Sequence, residues 1–423
     1  MKKKLLLLSI DAMVTEDLEI LKTLPAFSEV LEKASIVKNI ESVYPTLTHP
    51  AHVSIATGCY PDRHGIITND EFRPGERFSP WLEKASLVMV PMLPQIARTH
   101  GYTVATVFWP LTIGMDAEWV LGRDWVHEKS KTKQQTIADN STPGLFDEVS
   151  DSVKSCWGKE HYEEADDFCF LSAEYLLRTY QPDITMIHVI LIDHIRHAYG
   201  VFSPKLRTAY EFLDSGLSKL LSAMKDSGVY DNTIVCLTSD HGQLDIDRVV
   251  SLNRFFLEHG LIRCNAEGKL EDYIAYAHSA SLVSLIHVKE TDTVKEAQIR
   301  DLLLENKELL GIGELFTKEK TRKLRLDGDY TFVVETDNHT AYSPRLDAEI
   351  VTTVDPTDWR TSVAGHGHLP QKGVKPMFIV RNPFSDRTCI LERGKLVDEG
   401  PTMAALLGFS LPDCDGKPIA ELL

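Results

Sequence analysis

Residues 1–13 read MKKKLLLLSIDAM, and two readings compete for them. Lysines ahead of an apolar run have the outline of a secretory signal. The same run ended by an aspartate has the outline of a buried strand that delivers a carboxylate. The run from Leu5 to Ile10 is shorter than the ~7–15 apolar residues of a signal core, and no small-residue cleavage site follows it. We therefore read LLLLSI as a central strand and the lysines as its solvated lead-in. On this reading Asp11 belongs to the folded chain and is available for chemistry.

The same pattern recurs downstream. SIVKNIESVYP (35–45) alternates like a half-buried strand. AHVSIATG (51–58) predicts a short helix stopped by Gly58, and PMLPQIARTHG (91–101) one closed by Gly101. YTVATVFWP (102–110), DITMIHVILID (183–193), NTIVCLTSD (232–240) and PMFIVRN (376–382) read as strands. Helices are expected over 168–182, 203–228 and 402–409, and an irregular segment over 111–160. Strand and helix in alternation predict an α/β fold with a mostly parallel central sheet and helices on both faces. Between 243 and 360 the pattern shifts to a smaller α+β insertion, so residues 1–242 and 361–423 are expected to form the catalytic core.

Composition narrows the function. The 423 residues carry 45 Lys and Arg against 62 Asp and Glu, a formal net charge of −17. That surplus disfavours nucleic-acid polymers and anionic lipid as partners. Bound cations can still invert the field locally for a small anionic substrate. No apolar stretch reaches the roughly 20 residues of a membrane span. The seven cysteines include no CxxC pair, so reduced thiols and a cytoplasmic chain are expected.

In parallel sheets, sites form beyond the carboxyl ends of the strands. Asp11, Asp193 and Asp240 each end a predicted strand, and each alone fits a turn or a helix cap. Histidines follow two of them: His197 in IDHIRHAYG and His241 in TSDHGQ. His366 lies downstream in AGHGH. Carboxylates and imidazoles in these numbers suit two divalent ions, an arrangement that serves in-line displacement at phosphorus. In YPTLTHPAHVSIATG, Thr46 and Thr48 stand at the start of a predicted helix. A hydroxyl there is either an N-cap or a nucleophile held at an anion-binding helix end.

Together SIDAM, YPTLTHPAHVSIATGCYPDRHGIITND, VFWP, DHIRHAYG, TSDHGQ and AGHGH resemble the nucleotide pyrophosphatases/phosphodiesterases of the alkaline phosphatase superfamily. The likeness runs in order over nearly the whole chain, including the closing GPTMAALLGFSLPDCDGKPIAELL. It implies an alkaline-phosphatase-like core and two divalent metal ions, zinc first and manganese second. By position, Asp11, Thr48, Asp240 and His241 match the ligands of one ion. Asp193, His197 and His366 match those of the other, and His368 is passed over. Thr48 matches the nucleophile that forms a covalent phosphothreonine. Asn69 matches the amide that helps hold the phosphoryl oxygen.

The resemblance also sets the substrate expectation: a small phosphodiester, or the pyrophosphate bond of a nucleotide. Two stacking positions of the family carry His49 and His188 here, and Trp109, Trp119 and Tyr199 are further candidates to line the substrate. Arg196 is either solvated or reaches an acidic substrate; His52 and His64 are expected to be structural. Three alternatives stay open. A phosphonoacetate-type hydrolase would need a lysine pair near 110–125 that the sequence lacks. A phosphomonoesterase would usually carry a serine nucleophile and an extra positive group. A catalytically inactive metal-binding protein would keep the fold without turnover.

Overall fold

The computed structural model describes residues 2–76, 79–123, 130–289, 293–355, 358 and 362–423. The polar stretch 124–129 and the expected domain boundary at 361 lie outside the described residues. Twelve strands make up the two larger sheets. The first six are β1 (Lys4–Ile10), β2 (Ala34–Val37), β3 (Val104–Val107), β4 (Trp119–Leu121), β5 (Ile184–Val189) and β6 (Thr233–Thr238). Then come β7 (Ala275–Ala280), β8 (Val283–Val288), β9 (Ile312–Thr317), β10 (Phe332–Thr336), β11 (Phe378–Arg381) and β12 (Ile390–Leu391).

The larger sheet has the order β12–β2–β11–β6–β1–β5–β3–β4. β1 lies between β5 and β6 and is parallel to both. Only β11 runs against its two neighbours. The run that opens the sequence is thus the central strand. Leu5 to Leu8 are all buried, and they divide by parity. Leu6, Leu8 and Ile10 join the core beneath α2 (His161–Thr179) and α4 (Leu206–Asp226). Leu5 and Leu7 join the core on the other face, with Ile55 of α1 (Thr48–Thr57) and Met403 of α5 (Glu399–Leu407). Side chains alternate across a strand. Helices on both faces therefore call for apolar residues at every position, which is why the run does not alternate.

The smaller sheet, β7–β8–β10–β9, is antiparallel throughout and has its own core around Phe255, Ile286 and Val334. Leu244–Asp245 pairs with Ala364–Gly365, so the chain leaves and rejoins the larger sheet at one place.

Several local expectations need correction. Residues 35–45 form two short strands, Ala34–Val37 and Ile40–Glu41, and the first is buried at every position. Both faces are covered, so alternation carries no signal there. The segment 111–160 is not wholly irregular: it supplies β4, paired parallel with β3, and helices Lys133–Asp139 and Leu145–Val149. Helix α2 begins at His161, ahead of the expected 168, and absorbs EEADD (163–167). Its acids are not all solvated. Asp166 is fully buried and accepts the N–H groups of Ile190 (2.8 Å) and Leu191 (2.9 Å). Burial raises that carboxyl to about 7.

Arg196 is neither solvated nor turned to a substrate. Among the fully buried side chains it is the first by size. It pairs with Asp17 at 2.5 Å and donates to the carbonyls of Ala12 (3.0 Å) and Val201. Asp17 also accepts from Tyr210 Oη (2.7 Å) and the Val14 N–H (2.8 Å). The cluster pins the loop that follows Asp11. Truncating one partner of a buried pair strands the other charge. Arg196→Ala should lose about 3–5 kcal/mol of unfolding free energy, read by denaturant titration.

Candidate metal centre

Three parallel strands deliver the site. Asp11 follows β1, and its N–H donates to Val189 O of β5 (2.9 Å). Asp240 follows β6. Asp193 does not end a strand as expected. It lies in the first turn of α3 (Leu191–Tyr199), with His197 one turn on in the same helix. The short apolar run hides the change because strand and buried helix look alike in it. On a helix, i and i+4 share a face, and Asp193 Oδ2 stands 3.4 Å from His197 Nε2.

Two clusters result. Asp11, Asp240 and His241 have ligand atoms within 4.8 Å of one another, and so do Asp193, His197 and His366. The clusters touch, because the His241 and His366 rings stack at 3.8 Å. The first is buried throughout: His241 Nε2 lies 3.1 Å from Asp240 Oδ2 and 3.5 Å from Asp11 Oδ1. In the second, His366 Nε2 is 3.8 Å from Asp193 Oδ1.

Hydrogen bonds leave ligand atoms pointing inward. His197 Nδ1 donates to Ala364 O (2.7 Å) and His366 Nδ1 to Thr46 O (3.0 Å), so each Nε2 is the lone-pair nitrogen. Gln243 Nε2 donates to Asp193 Oδ1 at 2.5 Å. Asp11 Oδ1 and Asp240 Oδ2 are buried without a hydrogen-bond partner. Burial, then repulsion from Asp240, pushes the Asp11 carboxyl well above its ordinary range. Burial raises Asp240 to about 7. Burial holds His366 down to about 4 and His241 well below its usual value. Unpaired acids crowded together beside neutral imidazoles are costly in isolation. A divalent cation satisfies each of those atoms, and these nitrogen and oxygen donors are ones it accepts. The residues fit two such ions.

Thr48 sits where the clusters meet. It is the first residue of α1, not its cap: Leu47 occupies that position, and its side chain makes no capping hydrogen bond. The Thr48 hydroxyl lies 3.4 Å from His241 Nε2. Thr46 is engaged elsewhere, donating to His368 O (2.8 Å) and accepting from the Gly367 N–H (3.0 Å). It holds the His366 loop. Asn69 Oδ1 accepts the His49 N–H at 2.9 Å, which turns its amide nitrogen away from α1. Asn69, His197 and His366 line one cleft with Leu47, Asp70, Trp81 and Ser279–Ser281. His52 and His64 are structural as expected: His52 bridges Ser9 and Thr48 O, and His64 meets Ser54.

Four of the expected substrate contacts fall elsewhere. His49 is fully buried, with Glu83 Oε1 3.4 Å away and Trp81 edge-on at 5.0 Å. His188 is buried on β5 and donates Nε2–H to Asp11 Oδ2 at 3.0 Å, so it orients the Asp11 carboxyl. Trp109 is 2 % exposed, packed edge-on against His52 in the core. Trp119 stacks on Tyr180 away from the clusters. The aromatic that lines the cleft is Trp81, which no motif marked.

The type I phosphodiesterase/nucleotide pyrophosphatase family model matches residues 5–362. The chain belongs to that family. Ectonucleotide pyrophosphatase/phosphodiesterase family member 1 of Homo sapiens is 27% identical over 244 residues, 55% of this chain and 23% of that protein. Bis(5'-adenosyl)-triphosphatase ENPP4 of Bos taurus is 26% identical over 264 residues, 59% of this chain and 50% of that one. The chain thus spans half or less of either relative. Murine ectonucleotide pyrophosphatase/phosphodiesterase 5, solved as an inactive variant with AMP, superposes with a TM-score of 0.67. It is 16% identical, with 98% of each chain covered. That likeness establishes the alkaline-phosphatase-like α/β fold of this family member. All seven cysteines are free, and among the described residues no helix is long and apolar enough to cross a membrane.

Proposed function

We propose that this phosphodiesterase-family chain hydrolyses a small phosphodiester or nucleotide pyrophosphate bond through a phosphothreonine at Thr48. One observation carries the reading: two three-residue clusters of carboxylates and imidazoles join through the stacked His241 and His366 rings, and a hydroxyl at a helix N-terminus lies 3.4 Å from His241. Asp11, Asp240, His241 and Thr48 would hold one divalent ion; Asp193, His197 and His366 would hold the other. Zinc suits these ligands best and manganese next. Such ions supply positive charge that eases ionisation of a hydroxyl and neutralises phosphoryl oxygens.

The remaining roles belong to side chains. Thr48 Oγ1, giving up its proton, bonds to phosphorus as the bond to the leaving alkoxide or phosphate breaks. Water then adds to the same phosphorus, the Thr48 Oγ1–P bond breaks, and the threonine oxygen regains a proton. The Asn69 amide nitrogen donates to a nonbridging oxygen. Gln243 and His188 fix the two aspartates that they bond. A planar group on the substrate has Trp81 to pack against. The cleft lining carries Asp70 and, among the described residues, no lysine or arginine. That favours the single charge of a diester over the extra charge of a monoester.

Nitrophenyl substrates test this with zinc or manganese supplied. A bis-nitrophenyl diester or a nitrophenyl nucleotide ester should be cleaved far faster than nitrophenyl phosphate; faster monoester cleavage refutes it. Asn69→Ala should lower kcat by about 10²–10³ through loss of one oxyanion donor, with metal content unchanged by elemental analysis.

A further inference from the structure

The segment that carries Asn69 leaves the larger sheet as a two-stranded arm. Asn69 O accepts the Leu82 N–H (2.8 Å), Asp70 pairs with Trp81, and the Glu71 N–H donates to Pro80 O (2.9 Å). The arm rests on the smaller sheet, not on the strands that deliver the ligand clusters. Asp70 Oδ1 meets His278 Nε2 of β7 at 3.1 Å. Phe72 stacks on His287 of β8, centroids 3.6 Å apart and planes 8° from parallel. The Gly75 N–H donates to Tyr276 Oη of β7 at 2.9 Å.

Asn69 is therefore held from two sides. Its Oδ1 is fixed by the first turn of α1. Its backbone is fixed, one residue on, by a histidine from the other sheet. Asp70 is 7 % exposed and the His278 side chain 10 %, so the pair is screened from water and geometrically specific. An oxyanion donor is effective only when preorganised, and a misplacement of about 1 Å costs up to ~10²-fold in rate. We infer that His278 is a positioning residue for the phosphoryl-transfer site: through Asp70 it sets the place of the Asn69 amide, so the smaller sheet takes part in transition-state stabilisation.

The inference rests on the proposed role of Asn69 and extends it to a residue more than two hundred positions away. It makes no use of a charge change on His278. A glutamine, which keeps a donor near Nε2, should serve in part.

A double-mutant cycle on the metal-loaded protein tests it, with two readouts. In the first, His278→Ala lowers kcat for a nitrophenyl diester about 10-fold or more with KM within about twofold, and His278→Gln recovers part of the loss. In the second, calorimetry measures orthovanadate, a phosphoryl-transfer mimic that needs no turnover. His278→Ala weakens vanadate binding when Asn69 is present and has no further effect in Asn69→Ala. Equal losses with and without Asn69, or no loss in either background, overturn the inference. If the native chain binds vanadate but cleaves no diester, the diesterase reading fails, and the vanadate cycle still decides the role of His278.

Discussion

Thr48→Ala is expected to reduce diester hydrolysis by about 10⁴-fold or more while leaving the fold and the bound metal in place. The hydroxyl lies 3.4 Å from His241 Nε2, at the junction of the two clusters, and caps nothing. Its loss therefore removes the attacking oxygen without removing a helix cap. Alanine also suits the start of a helix, so stability should change little. The other threonine of the motif makes the contrast. Thr46 bonds His368 O and the Gly367 N–H, next to the His366 ligand. Thr46→Ala should disturb metal retention more than the chemical step. Rate assays with elemental analysis separate the two. A Thr48→Ala protein that keeps a tenth of the native rate contradicts the nucleophile assignment.

Stripping the divalent ions with a strong chelator is expected to bring diester hydrolysis to background and to lower the melting temperature. The two effects share a cause. Asp11 Oδ1 and Asp240 Oδ2 are buried without a hydrogen bond. Leaving each buried polar atom unpaired costs about 1–3 kcal/mol. Asp11 and Asp240 are also buried close together and repel. A ligand that binds only the folded chain adds stability set by its concentration relative to its dissociation constant, about 4 kcal/mol at a thousandfold excess. Readdition of zinc or manganese should restore both properties together, with differential scanning fluorimetry and a nitrophenyl diester as the readouts. Recovery of stability with magnesium alone would argue against a nitrogen-rich site.

The sequence shows most of the frame and the chemistry, and it misleads where burial removes the usual contrast. The LLLLSI run is legible because a leucine-rich run ended by an aspartate fits a central parallel strand. The cluster residues are legible because Asp11 and Asp240 follow strands, His366 stands between glycines, and the family resemblance marks all six. Asp193 is placed on the wrong element because β5 passes into α3 without a polar break. Arg196 looks solvated until Asp17 and Tyr210, distant in sequence, close around it. His49 and His188 look like substrate contacts because they occupy two stacking positions of the family, yet both side chains turn into the protein. Trp81 and His278 lie in segments with no motif. Only the folding of the arm over the smaller sheet brings Trp81 to the cleft and His278 to Asp70. Gln243 was in view within TSDHGQ, but a glutamine two residues beyond a ligand carries no signal until its partner is seen.

The central claim is that two ligand clusters meeting at Thr48 each hold a divalent ion. Anomalous diffraction from a crystal grown with zinc tests it directly. The account predicts two peaks, one among Asp11, Asp240 and His241 within reach of Thr48 Oγ1, and one among Asp193, His197 and His366. A single peak, or zinc bound away from both clusters while they stay empty, would contradict it.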